Sequence, residues 1–263
     1  MKYDDLIVLV REVVLEARGT QDKRLRAFTN NITRNIMAIY SKRKPSLPYS
    51  FVSVEDLIGD LNTSTDEIYE IHAGAFPLAL DPKTIDIEIY EDGVDPFISV
   101  ILEIDRNSKE FNVSATDKNI VGSTDLGIHI AIETPRDFSK SNLKTLRDEI
   151  ANSVRHELEH ITQGDRSDQP ASAYGRGEKY YEFINSPKDV DSYHAKYFLK
   201  PEEIPSHVRG YAQNAKNLET LKLDIESLLD NYKIKDLISK EEEEIILNTW
   251  LDWAKNNINR KGY

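Results

Sequence analysis

The sequence predicts an α+β fold in which a small antiparallel or mixed sheet packs on one long helix, between a helical leader and a helical C-terminal part. Three observations predict it. Apolar residues recur at helical spacing before residue 45, alternate with polar ones between about 85 and 133, and return to helical spacing from Ser141 onward.

The leader carries two stripes. Leu6, Val10, Val13 and Val14 form one, and Leu25, Phe28, Ile32, Ile36 and Ile39 the other, with Gly19 expected to break the helix between them. "SKRKPSLPYS" (41–50) reads as a connector because proline and serine punctuate it. "SVEDLIGDL" (53–61) reads as a short helix capped by Ser53. Ile85, Ile87 and Ile89 then alternate with Asp86 and Glu88, as in a half-buried strand. "FISVILEID" (97–105), the turn "RNSK" and "EFNVSA" (110–115) suggest a hairpin, and "GIHIAIE" (127–133) another strand, giving an antiparallel meander of about four. The period returns in "SNLKTLRDEIANSVRHELEHITQ", ended by Gly164. Residues 165–192 are polar and read as a long loop, followed by helices near 202–216, 217–231 and 239–259. The run "KEEEEI" (240–245) fits the first turn and solvated face of the last helix. These shifts suggest boundaries at 1–45, 50–216 and 217–263, the first segment being either a leader or the backing helices of the same domain.

Composition narrows the function. The chain has 263 residues, 39% hydrophobic and 30% charged, enough for a sizeable core. A net charge of −12 argues against a nucleic-acid partner, which needs a basic face. There is no cysteine, so any metal must be held by nitrogen and oxygen donors. "LIVLV" (6–10) is too short and too acidic at its leading edge for a secretory signal, and no stretch approaches the roughly 20 apolar residues of a membrane span. The expectation is a soluble, cytoplasmic protein with no membrane partner.

The stretch "SVRHELEHITQGD" (153–165) carries the chemistry. At about 100° per residue, Leu143, Leu146, Ile150, Val154, Leu158 and Ile161 fall in one sector, the core stripe. Lys144, Asp148, Arg155, Glu159 and Thr162 cluster at the opposite pole, expected to face solvent. His156 and His160 point sideways, about 100–140° from the stripe's centre, and Glu157 lies between them and the core. An i, i+4 histidine pair can present two imidazole nitrogens to one zinc ion, and the glutamate one step round is placed for a general base. Asn152 and Ser153, small and polar, leave space beside the pair. His129 and His72 read as structural.

"HELEHITQ" followed by "YFLKPEEIPSHVRGYAQNA" resembles the glutamate-type zincins, the gluzincin-like metallopeptidases, and more narrowly the small phage-encoded metallopeptidases. Their second motif runs Tyr, a few residues, then Pro-x-Glu-Ile-x-Ala-His/Tyr. Tyr197, Pro201, Glu203, Ile204 and His207 match it, while Pro205 and Ser206 depart from it. The likeness covers roughly 85–216. It implies a zincin-like fold, one Zn2+ held by His156, His160 and Glu203, a peptide or protein substrate, and location in a host cytoplasm if the chain is phage-encoded. It implies Glu157 as base, and His207 or Tyr211 as the group stabilising the oxyanion, with His194, Tyr193 and Tyr197 as further candidates. Glu202, Asp165, Asp189, Asp191 and His194 stay open as alternative third ligands. Two other readings remain: a zinc-binding interaction or assembly protein without catalysis, and a metal-free structural protein. An edge at strand 127–133 or its neighbour could hold an extended peptide by strand addition. Oligomeric state is left open.

Overall fold

Isoleucine and valine alternating with polar side chains build the sheet, because successive side chains of a strand point to opposite faces. The computed structural model describes residues 3–51, 67–75, 97–119, 126–163 and 190–258, and of residues 3–21, 75, 97, 117–119, 126, 162 and 163 the backbone alone. The expected helix at 53–61 and strand at 85–89 lie outside the described residues, as do Gly164 and nearly all of the 165–192 segment. Among the described residues the chain is mixed α+β, with one five-stranded mixed sheet and six helices. In chain order these are α1 (Tyr3–Tyr40), β1 (Tyr49–Phe51), β2 (Glu67–Ala75), β3 (Phe97–Asp105), β4 (Asn112–Asn119), β5 (Leu126–Glu133), α2 (Leu143–Gln163), α3 (Tyr193–Phe198), α4 (Glu203–Ala212), α5 (Leu218–Ile234) and α6 (Lys240–Asn257). Among the described residues no helix is long and apolar enough to cross a membrane.

The chain divides into two compact units, residues 25–164 and residues 1–24 with 165–263. In the first, the strands lie in the order β1-β2-β3-β5-β4. All neighbours are antiparallel except β3 and β5, which run parallel. One face is nearly all apolar: Ile98, Val100, Leu102 and Ile104 of β3 and Ile128, Ile130 and Ile132 of β5 are buried. Leu25, Ile32, Ile36 and Ile39 of α1 and Leu146, Ile150, Val154 and Leu158 of α2 join them in one core. The stripe read from the α2 sequence is therefore the face it buries.

Three expectations change. The 97–115 hairpin does not form, because β3 lies between β2 and β5 while β4 pairs with β5. Thr134 N–H donates to the Asp105 carbonyl at 2.8 Å, so the β3–β5 ladder continues past the strand ends. Alternation shows which side chains face the core but not which strand lies alongside. Helix α1 also runs unbroken through Gly19. A glycine in a helix interior costs about 1 kcal/mol, less than a broken hydrogen-bond ladder. No strand was expected at Glu67–Ala75, where β2 forms, and its alternation is disturbed by a register shift between His72 and Gly74, the latter at φ 92°.

In the second unit α3 to α6 enclose a core that includes Phe198, Ile204, Val208, Leu221, Ile225, Ile246 and Trp250. Asn217 caps α5 in a reciprocal box with Thr220, and Ser239 caps α6 in one with Glu242. The acidic run of α6 is not wholly a solvated face: Glu241 and Glu244 are exposed, but Glu242 is buried. Its carboxylate accepts from the backbone N–H groups of Asp191 (2.8 Å), Ser192 (2.7 Å) and Ser239 (2.8 Å). Burial pushes this carboxyl up, but the N–H groups of Ser192, Ser239 and Asp191 outweigh it and hold the pKa below the ordinary glutamate value.

A depressed carboxyl contributes stability above its unfolded-state pKa and loses it as pH falls through the folded one. We expect Glu242→Gln to cost about 2 kcal/mol in urea unfolding at pH 7. That deficit should shrink as pH falls below the ordinary glutamate value of about 4.3 and vanish once the wild-type carboxyl is also protonated.

Candidate metal centre

In α2 the histidine spacing becomes geometry. The two Nε2 atoms of His156 and His160 lie 3.0 Å apart, with ring centroids separated by 4.6 Å and planes at 73°. Two imidazoles meet this closely either through a shared proton or around a shared cation. Tetrahedral zinc with Zn–N bonds of about 2.0–2.1 Å places two nitrogens about 3.3–3.4 Å apart. The pair is within a few tenths of an ångström of that spacing, so the donor set fits a zinc ion with small rotations. Glu157 is buried, and its Oε1 lies 3.9 Å from His156 Nε2. That is too long for a hydrogen bond and near enough for the carboxylate to meet a small molecule held at the pair.

The pole of α2 opposite the core stripe is not uniformly wet. Its first half behaves as expected: Lys144 is exposed and pairs with Asp148 at 3.2 Å. Farther along, Arg155 is fully buried and Glu159 nearly so. They lie 3.4 Å apart across one turn, each partly offsetting the other's desolvation. From Ala151 to Ile161 no described side chain is exposed, and Asn152 and Ser153 are half-buried. Among the described side chains, exposure of α2 thus ends before the histidine segment begins.

The other histidines of this unit pair with carboxylates. His129 projects from the sheet face opposite the apolar core, as its place between Ile128 and Ile130 requires, and its Nε2 lies 3.2 Å from Glu103 Oε1. His72 lies 3.8 Å from Glu70. Neither belongs to a group of three ligand-type side chains among the described residues. Among the described residues β4 is the sheet edge and β5, residues 126–133, is interior, so of the two strands left open for peptide addition β4 is the one at an edge.

In the second unit Glu203 opens α4 and is buried, while Glu202 at the cap position is half-buried. Pro205 does not disturb the helix start. It is the third helical residue, where the N–H it lacks would have no partner within the helix. His207, one turn on, places Nε2 3.6 Å from Glu203 Oε2. Its ring stacks on Trp250 at 4.9 Å and 15°, with the edges of Phe198 at 5.3 Å and Tyr197 at 5.8 Å. Tyr211 is half-buried against the helical core. His194 meets the rings of Tyr193 and Tyr232, Tyr193 is 78% exposed, and Asp191 is exposed. Asp165 and Asp189 lie outside the described residues. Trp250 was not a sequence candidate. Its only signal was a place in the buried stripe Ile246, Trp250, Trp253 of the last helix.

Compared with family models, curated proteins and solved structures, the chain matches none.

Removing one member of a buried ion pair deprives the other of that charged contact while it stays desolvated. Arg155→Ala should lower unfolding free energy by about 3 kcal/mol, and Arg155→Met with Glu159→Leu together by less than Arg155→Ala alone, measured by denaturant titration.

Proposed function

We propose that the protein is a zinc-dependent peptidase of the glutamate-type zincin kind, with His156, His160 and Glu203 as metal ligands and Glu157 as general base. The observation that carries the reading is the facing pair of imidazole nitrogens, 3.0 Å apart, with a buried carboxylate on the residue between them. The donor set supports it: two imidazoles and one carboxylate, each offering one ligand atom, are the complement of a catalytic zinc that keeps a position open. Strand β4, the sheet edge among the described residues, backs the same helix and suits an extended peptide.

When bound, zinc supplies Lewis acidity that acidifies water and polarises a carbonyl. The protein's own residues do the rest. Glu157 accepts a proton from the attacking water and delivers it to the leaving amine. The developing oxyanion needs a donor. Of His207 and Tyr211 we assign that role to Tyr211, because the Nε2 edge of His207 is turned to Glu203.

The test is metal content followed by turnover. Wild type should carry one zinc per chain by elemental analysis and cleave a peptide library. Glu157→Gln should keep the ion and lose about 10²- to 10⁴-fold in rate. Zinc with no turnover in wild type would replace the peptidase with a zinc-binding interaction protein, and absence of zinc would remove both.

A further inference from the structure

Helix α6 holds the segment around Glu203 through one buried side chain. The Trp250 indole Nε1–H donates to the Phe198 carbonyl at 2.9 Å, tying the end of α3 to α6. The same indole lies flat on His207, at 4.9 Å and 15°, and takes the edge of Phe198 at 5.5 Å and 89°. His207 is thus walled by Trp250 on one face and by Phe198 and Tyr197 edge-on. A rotation of its ring about the Cα–Cβ bond drives it into one of these neighbours. Its Nε2 is therefore held at the Glu203 carboxylate, 3.6 Å from Oε2. That separation exceeds a hydrogen bond, so the contact is a wall and an electrostatic guide rather than a tether.

A tryptophan needed only to fill a helical core would be served by aliphatic and aromatic neighbours. Here its plane is spent on a polar ring whose nitrogen meets a buried carboxylate. Trp250, His207, Phe198 and Glu203 all lie in the same unit.

We propose that Trp250 and His207 are positioning residues for Glu203: Trp250 fixes the plane of His207, and His207 fixes the carboxylate in the conformation that takes the metal. This rests on the reading of Glu203 as a zinc ligand. Groups that orient metal ligands typically change affinity 10- to 100-fold when removed.

The experiment measures zinc affinity of the full chain by competition with a chromogenic chelator. Far-UV circular dichroism and the unfolding midpoint in excess chelator report whether each variant is folded. His207→Ala and Trp250→Leu should each weaken zinc binding about 10- to 100-fold, and Trp250→Phe, which keeps an aromatic plane, should restore most of the loss. In a Glu203→Ala background neither His207→Ala nor Trp250→Leu should weaken binding further, because both act through the carboxylate already removed. A merely structural role would weaken binding by the same factor in both backgrounds, and that result overturns the proposal. Wild-type affinity in His207→Ala also overturns it, and that variant decides alone if Trp250→Leu does not fold. Should Glu203→Ala bind zinc as tightly as wild type, or wild type bind none, the assignment of Glu203 itself falls and this inference with it. Zinc lost in Glu203→Ala but kept in His207→Ala would leave that assignment standing.

Discussion

The apolar stripe of α2 pressed on the isoleucine face of the sheet is the constraint from which the rest of the first unit follows. Leu146, Ile150, Val154 and Leu158 are fully buried against β-strand residues that are themselves fully buried. Burying a leucine or isoleucine side chain stabilises by about 1.5–3 kcal/mol, so four of them fix the helix's rotation about its own axis far more firmly than any polar contact on it. Once that rotation is set, geometry at about 100° per residue decides the rest. His156 and His160 must stand one above the other on a flank. Glu157 must stand between that flank and the core. The placement of the two imidazoles and the carboxylate is thus set by hydrophobic packing.

This explains which features could be read from the sequence. The α2 stripe, the histidine flank and the burial of Glu157 are local consequences of helical period, and the periodicity contains them. So is the place of His129 on the polar side of β5, which follows from alternation. Strand order is not local. Whether Asn112–Asn119 lies against β3 or β5 depends on which neighbour completes the hydrogen bonding of two buried strands. The alternation of Val113 and Ala115 with Ser114 and Thr116 is the same in either case. The continuity of α1 through Gly19 is a balance between a cost of about 1 kcal/mol and the gain from an uninterrupted ladder, and a residue-type rule cannot resolve it.

Charge was the least legible property. Arg155 and Glu159 fall at the pole a helical wheel assigns to water, yet both are buried and paired. Glu242 sits in a run of four glutamates that reads as a solvated first turn, yet it is the one that gathers three backbone N–H groups. Composition treats all four glutamates alike. What singles it out is position: the third residue after Ser239 is where a carboxylate can return to the cap, and the apolar residues one and two turns on, Ile246 and Trp250, turn that side of α6 inward. A polar residue placed on an apolar stripe at a helix start is thus a signal for a buried acceptor, and this sequence carried it.

The same logic separates the two parts of the proposed ligand set. Two histidines one turn apart are brought together by forming a single helix, so their proximity carries no loop-closure cost beyond that of the helix itself. A carboxylate more than forty positions away must be ordered by its own surroundings before it can serve, and the entropy of that ordering is charged against metal affinity. The density of constraint around Glu203 answers this: a helix start, an imidazole one turn on, and an indole from α6 stacked behind the imidazole. A surface glutamate at a helix N-terminus needs none of these. Their presence around Glu203, when Glu202 beside it is only half-buried at the cap, goes beyond what a carboxylate complementing a helix dipole requires, and is what the proposed ligand role would need.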